Sequence, residues 1–493
     1  MERVRFAPSP TGPLHIGGLR TALFNYLYTK KNNGAFIVRI EDTDQTRKVE
    51  GSEGYIFEAL EWCGIAPDES PLHEGEYGPY RQSERKDIYQ KYIRRLVDAG
   101  KAYFAFDHSD DLDRAREEAK LNGVTFKYNA SNRGTFKNSL SCTAEETSNL
   151  RKRSDVVVRL KVDIHREVKT TDVLRGTVTV NASELEDKIL MKADGMPTYH
   201  FANVVDDHLM KISTVIRGEE WLPSLPIHQL LYEAFGWEAP QFLHLPLILN
   251  PGGKGKLSKR DGDKHGYPVF PLQWGATQGY KEIGFLPEAH LNYIAQLGWS
   301  MGENELMRLD EMIAAFNVKQ LQKGGARFDY DKARWINQQY LSAMSVEDIM
   351  QRFPTWFQTL RAALGEKTED AIALIQERLV TLNDLPIECA CFVKDPNAFS
   401  AKGLKRLQGF DAVRIAQQLY DTIEAKGLGR LKDHIKIMAK SNGDGMGTYM
   451  QVLRMSVVGE LAGPDLVPLC EIIEKDVTLK RLENFTKHLK SIV

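Results

Sequence analysis

A strand that stops at a turn and restarts as a helix constrains this chain more than any other feature. Val4-Arg-Phe6 is a short apolar run, Pro8-Ser-Pro-Thr-Gly-Pro13 breaks it, and a helical pattern begins at His15. Leu19, Ala22, Leu23, Tyr26 and Leu27 then fall at i, i+3, i+4, i+7 and i+8. A second strand-like run, Phe36-Ile-Val-Arg-Ile40, follows, and a helical stretch covers Ser52 to Trp62. Strand, helix, strand, helix predicts a parallel sheet with right-handed crossovers. A helix N-terminus offers unpaired N–H groups and partial positive charge, so this turn suits phosphate. Gly17 and Gly18 let a ligand approach the backbone, and His15 is placed to donate to a phosphate. His-x-Gly taken alone also fits an ordinary βα turn that binds nothing.

The chain has 493 residues, enough for about three domains. From about 81 to 198 the pattern changes to polar helices (Asp110 to Leu121) and isolated strand-like runs (Val156 to Leu160, Thr177 to Val180), which reads as an inserted α+β module. Parallel patterning resumes over Thr198 to Gly236, where a strand (Ile212 to Ile216) feeds a helix (Leu225 to Phe235). From about 330 onward nearly every segment is helical, with Ile372, Ile375, Leu379 and Leu382 on one stripe. The expected division is a catalytic domain over 1–80 and 199–250, the insertion over 81–198, a connecting region over 251–335 and an all-helical region over 336–493.

Net charge is −2, so any contact with nucleic acid must use local basic patches. Residues from 401 onward hold 15 Lys/Arg against 11 Asp/Glu, a local excess of +4. Five scattered cysteines, of which only Cys389 and Cys391 are close, predict neither a disulfide nor a metal cage. No apolar run reaches the ~20 residues of a membrane helix, and Met1 to Phe6 lacks a signal-like apolar stretch, so a cytoplasmic protein is expected.

A second element, Lys254-Gly-Lys-Leu-Ser-Lys-Arg-Asp-Gly262, is a Gly-flanked cationic loop. Such a loop can close over a polyphosphate and stabilise charge on a leaving pyrophosphate. By itself it also fits a solvated charged turn. Together the two elements resemble the class I aminoacyl-tRNA synthetases, whose signatures are HIGH and KMSKS. Here they read His15-Ile-Gly-Gly18 and Lys256-Leu-Ser-Lys-Arg260. The departures at Gly18 and Arg260 are common in glutamate-specific members. Phe36-Ile-Val-Arg-Ile-Glu-Asp-Thr-Asp44, Gly78-Pro-Tyr-Arg-Gln-Ser-Glu-Arg85, Asp194 through His208 and Gly218-Glu-Glu-Trp221 are likewise similar to the bacterial-type glutamyl-tRNA synthetases. Leu453-Arg454 and Gly463-Pro464 resemble that family's final domain.

The resemblance implies an α/β fold: a Rossmann-like parallel sheet, an inserted α+β acceptor-binding module and an all-α anticodon-binding region. It implies ATP as substrate with Mg2+, L-glutamate and tRNA(Glu) as partners, a monomer, and no membrane. Catalysis would rest on His15, Gly17, Lys256, Ser258 and Lys259. Ala7 (by its backbone), Ser9 and Glu41 would hold the amino-acid head, with Glu41 facing the ammonium. Arg5 and Arg217 would clamp the γ-carboxylate, beside Tyr199 and Asn203. Arginine suits this because its planar fork binds carboxylate bidentately. An alternative has Arg217 pairing with Glu219 or Glu220 at the surface. ATP would lie on Ser9, His15, Gly17, Gly18 and Lys259, with adenosine near Glu220 and Trp221, although Trp221 fits a core position equally well. Asp42 and Asp44 read as a hydrogen-bonded turn rather than metal ligands. No metal site is expected: some relatives carry a cysteine-rich zinc site in the insertion, and residues 98–128 contain no cysteine, so no zinc is expected there. Arg378 matches the family position that separates glutamate from glutamine anticodons, and also fits an arginine whose stem covers a core.

Four functions compete. They are a discriminating glutamyl-tRNA synthetase, a relative that charges tRNA(Gln) as well or glutamylates a modified base, a catalytically silent tRNA-binding relative, and a small-molecule adenylyltransferase. His15, Glu41, Arg217 and Lys259 argue against the silent form. The insertion, the helical third and the lysine loop argue against the fourth.

Overall fold

The computed structural model describes residues 1–492. Its strands in chain order are β1 (Arg3–Phe6), β2 (Ala35–Val38), β3 (Ala102–Ala105), β4 (Val157–Leu160), β5 (Glu167–Asp172), β6 (Gly176–Asn181), β7 (Ile189–Met191), β8 (Thr214–Gly218), β9 (Gln241–Leu245), β10 (Ile248–Leu249) and β11 (Ala326–Arg327). The chain divides into two compact units, Met1–Glu282 with His290–Tyr330, and Ile283–Ala289 with Asp331 onward.

The first unit is built on a six-stranded sheet ordered β2-β1-β8-β9-β5-β6, parallel except for the β5–β6 hairpin. It is the parallel sheet the N-terminal pattern predicts, in the Rossmann-like form the resemblance implies. The crossover helix Ile16–Lys31 buries Leu19, Ala22, Leu23 and Leu27. Phe24 and Asn25 are buried too: Phe24 meets Phe316 at 5.6 Å, and Asn25 Nδ2 donates to the Ile216 carbonyl at 3.1 Å. This helix is therefore covered on more than one side, whereas the periodicity alone describes a single stripe.

One pairing differs from the expected organisation. β5 and β6 lie in the stretch read as an insertion, yet β5 pairs in parallel with β9 through Asp172 and Phe242 and widens the main sheet. Inward residues alternate along β5 as Val168, Thr170 and Asp172. β3, β4 and β7 form a separate antiparallel sheet.

A buried charge cluster joins the elements beneath β1. Asp207, on the helix Tyr199–Leu209, accepts from Arg5 Nε and Nη2 at 2.9 and 3.2 Å and from Arg39 Nη1 at 2.7 Å. Its neighbour Asp206 accepts from Arg85 Nε at 2.7 Å and from Gln82 Nε2 and the Tyr89 hydroxyl at 2.8 Å each. Arg39 Nη2 also donates to Glu41 at 3.0 Å. Three guanidinium groups thus offset three carboxylates, which is the condition under which buried charges are tolerated. Burial alone would raise the Asp207 carboxyl, but Arg5 and Arg39 hold it below its ordinary range.

The second unit is helical. The stripe from Ile372 to Leu382 does not lie on one helix, because Thr368–Ile375 ends in a short 3-10 turn, Gln376–Arg378. Gln376 Nε2 donates to the carbonyls of Leu341, Ser342 and Met344 and fixes that break. Among the described residues no helix is long and apolar enough to cross a membrane.

Asp206→Ala would leave Arg85 buried beside a missing partner. It should lower the unfolding free energy by about 3–5 kcal/mol in denaturant titration. A loss below ~1 kcal/mol would show that the cluster is not held by this carboxylate.

Candidate active site

In open parallel sheets ligands sit beyond the carboxyl ends of the strands. Here β1 delivers Ala7 and Ser9, the chain beyond β2 delivers Glu41, and β8 delivers Arg217, all to one cavity of about 770 Å³. Gly17, Gly18, Tyr199, Asn203, Glu220, Trp221, Lys256, Ser258 and Lys259 line the same cavity, with Arg5 and His15. Arg378 belongs to the helical unit, where its Nε donates to Glu388 at 2.5 Å and Nη1 to the Gly463 carbonyl at 3.3 Å.

His15 caps the helix Ile16–Lys31, and its Nδ1 accepts from Gly17 N at 3.2 Å. The proton of the neutral ring therefore sits on Nε2, which is buried and unpartnered. Burial, reinforced by Lys259 and Lys256, lowers the imidazole to about 4. At neutral pH the turn thus presents an uncharged N–H donor to the cavity. Gly18 has a steric reason to lack a side chain, since a Cβ there would come within 2.6 Å of the buried Leu14 Cδ1.

In the lysine loop, Ser258 donates from both its amide and its hydroxyl to Asp261 Oδ2, at 2.8 and 2.7 Å, and starts the helix Lys259–His265. That hydroxyl is engaged in the cap. Lys256 Nζ pairs with Glu220 Oε1 at 2.8 Å, tying the loop to the end of β8. Lys259 makes no ion pair among the described residues and lies 5.2 Å from the Phe270 ring centroid.

At the other end, Arg39 and Asn203 both donate to Glu41 Oε1, each at 3.0 Å. The buried Asn203 Oδ1 has no donor among the described residues, and both bonds to Glu41 go to Oε1 and leave Oε2. Burial raises the Glu41 carboxyl, with Arg39 and Arg5 opposing it. The Phe6 and Pro8 carbonyls accept from Arg39 N and Glu41 N at 3.0 Å each, which fixes Ala7 between them.

The two expected clamp arginines differ. Arg5 already shares Asp207. Arg217 is 5% exposed and forms no ion pair among the described residues. Its Nε donates to His244 Nε2 at 2.9 Å, Nη1 to the Tyr199 hydroxyl at 2.9 Å, and Nη2 reaches the Trp221 carbonyl at 3.4 Å. The surface pairing is not formed: Glu219 accepts from Arg175, and Glu220 from Lys256. Burial holds His228 and His244 below their ordinary range, so both are neutral beside Arg217. Burial likewise lowers His200 to about 4 and pushes Tyr199 up to about 12. Trp221 is 41% exposed and packs on Tyr199 with ring centroids 4.4 Å apart, so it borders the cavity and is not core.

Asp44 caps the 3-10 turn Gln45–Arg47, whereas the buried Asp42 carboxylate accepts from the amide and hydroxyl of the distant Ser83, at 2.8 and 2.7 Å. Sequence reasoning assigned no part to Arg39, Asp207, His244 or Arg20. Arg20 lines the cavity, its buried guanidinium donates to the Leu297 and Pro246 carbonyls, and burial lowers it to about 10. Arg39 and Asp207 fall inside the family-like strings, but nothing in their spacing marks them as partners.

Residues 2–335 match the family model described as tRNA synthetases class I (E and Q), catalytic domain, and residues 343–486 match an anticodon binding domain. The glutamate–tRNA ligase of Christiangramia forsetii is 48% identical, with 99% of each chain covered. The chain belongs to the bacterial-type glutamyl-tRNA synthetases. The ligase of Flavobacterium johnsoniae is 47% identical over 98% of both chains. A crystal structure of the glutamate tRNA ligase from Elizabethkingia meningosepticum, in complex with its amino acid, superposes with a TM-score of 0.93 at 48% identity, covering 99% of each chain. The synthetase is therefore an aminoacyl-tRNA ligase, with the Rossmann-like domain and helical anticodon region of its family.

The neutral imidazoles make stability depend on pH. His15 and His200 titrate near 4 when folded and near 6.5 when unfolded, so the unfolded chain binds more protons between those values. Their contribution is complete above about pH 6.5 and is lost as pH falls toward 4. Histidine-labelled NMR, assigned with His15→Gln and His200→Gln, should show both midpoints well below 6.5. A midpoint near 6.5 would contradict the burial argument.

Proposed function

We propose that this synthetase joins L-glutamate to tRNA(Glu) through a glutamyl-adenylate, with MgATP as co-substrate. The reading is carried by Arg217, a buried guanidinium that lines the cavity without a carboxylate partner. A buried cation whose partners are all neutral favours a ligand carboxylate. Glu41 Oε2 and Asn203 Oδ1 offer acceptors for an ammonium, so the cavity carries complementary groups for both ends of an acidic amino acid. That the Elizabethkingia relative holds its amino acid adds support.

In the first step an α-carboxylate oxygen of glutamate attacks the α-phosphorus of ATP. The bond to the bridging oxygen breaks and pyrophosphate leaves. Positioning and charge stabilisation supply the rate. His15 Nε2–H and Lys259 would receive the phosphate charge, with Gly17 and Gly18 giving backbone access and Lys256 holding the loop through Glu220. Ser258 would act by shaping the loop's helix start. Ser9 and the Ala7 backbone would hold the amino-acid head, Arg5 and Tyr199 would flank the γ-carboxylate, and Trp221 would border the adenosine. In the second step a hydroxyl of the terminal tRNA ribose attacks the acyl carbon and AMP leaves. The segment 81–198 would contact the acceptor arm and the region 336–493 the anticodon, with Arg378 released from Glu388 to meet a base.

Aminoacylation of purified tRNA(Glu) and tRNA(Gln) with glutamate and with glutamine tests the whole reading. Charging of tRNA(Glu) with glutamate alone is expected, and equal charging of tRNA(Gln) would show a non-discriminating enzyme. Arg217→Ala should cost roughly 2–5 kcal/mol in kcat/KM for glutamate, and an unchanged value would remove Arg217 as the clamp. Lys259→Ala should slow single-turnover adenylate formation while filter binding shows tRNA affinity nearly intact. Collapse of tRNA affinity would give the loop a different task.

A further inference from the structure

Asp172 sits on β5, in the stretch read as an insertion and outside every recognised motif. The structure nonetheless brings it to the base of the amino-acid site, because β5 pairs with β9 and β9 carries His244. Asp172 is 1% exposed and His244 is fully buried.

The hydrogen-bond directions along this row are determined. Arg217 Nε can only donate, so His244 Nε2, 2.9 Å away, must accept. The imidazole proton then lies on Nδ1, which donates to Asp172 Oδ2 at 2.8 Å. The carboxylate is itself held in place: Oδ2 also accepts from His244 N at 3.0 Å, and Oδ1 accepts from Leu174 N and Arg175 N at 2.9 and 2.7 Å. Asp172 therefore fixes the tautomer, and the tautomer fixes the acceptor that Arg217 needs. The intervening ring also keeps Asp172 off the guanidinium. Arg217 gains a nearby counter-charge while its terminal nitrogens meet only neutral partners, the Tyr199 hydroxyl, His228 and the Trp221 carbonyl, unlike Arg5, whose fork is occupied by the Asp207 carboxylate.

We propose that Asp172 and His244 are positioning residues for glutamate recognition, holding Arg217 by its Nε so that its two terminal nitrogens receive the substrate carboxylate end-on. This rests on Arg217 being the glutamate clamp. With Nε occupied, the side-on Nε/Nη2 mode is closed to the ligand, and the direction of the guanidinium is set from behind by the β5 hairpin.

The test is steady-state tRNA glutamylation by the full-length enzyme, with KM for glutamate and for ATP measured separately. Asp172→Asn places an amide against either His244 or two backbone N–H groups, so it cannot preserve the row. It should raise the glutamate KM about 10–100-fold while the ATP KM stays within about twofold. His244→Leu should do the same. Adding His244→Gln to Asp172→Asn should recover part of the loss, because the Gln Oε1 can accept from Arg217 without a tautomer to fix. In an Arg217→Ala background Asp172→Asn should add nothing further to the glutamate KM. Equal rises in both KM values, or no recovery with Gln, would reduce Asp172 to a structural carboxylate and overturn the proposal. An unchanged glutamate KM for Asp172→Asn, with Arg217→Ala still impaired, would overturn it while leaving the clamp in place. If Arg217→Ala itself leaves the glutamate KM unchanged, the clamp is wrong and the proposal falls with it.

Discussion

The bidentate contact between Arg5 and Asp207, shared with Arg39, is the interaction on which the catalytic unit depends. It fastens β1, the chain beyond β2 and the helix Tyr199–Leu209 to one another from inside the protein. Charges buried this deeply persist only as matched sets. Matching here fixes geometry as well as charge, because a planar guanidinium accepts a carboxylate in few orientations. The same cluster orients Glu41 through Arg39, so the acceptor end of the cavity inherits its position from the core.

The cavity brings polar groups of both signs together. Glu41 and Asn203 offer acceptors to it, while Arg217, His15 and Lys259 offer donors or positive charge. The histidines around Arg217 are kept neutral by burial and by the arginine itself. Neutral rings support the guanidinium without consuming its charge, and a cavity so arranged favours anionic groups on its ligands.

Much of this was legible in the chain. The βα turn at His15, the lysine loop and the strings around Glu41, Tyr199 and Arg217 converge on one cavity, because a parallel sheet brings the carboxyl ends of its strands together. Helix limits such as Ser52–Trp62 and Leu225–Phe235 follow from periodicity. Other features were not legible. Trp221 could be core or cavity rim, and only packing against Tyr199 decides. The Ile372–Leu382 stripe looks continuous until Gln376 satisfies carbonyls of another segment and breaks it. β5 is short and mostly polar, and its alternation gains meaning only once β9 lies beside it.

The sequence by itself determined the family, the α/β class and many of the residues that line the cavity, because those depend on local turns and on strings of adjacent residues. Tertiary structure alone decided which charges are already satisfied. Arg5 and Arg217 are the same side chain on neighbouring strands, yet one is engaged by the Asp207 carboxylate and the other meets only neutral partners, His244 among them. That difference arises from partners far away in the chain, and a buried ion's availability is set by whatever shares its pocket of low dielectric, which no local pattern encodes.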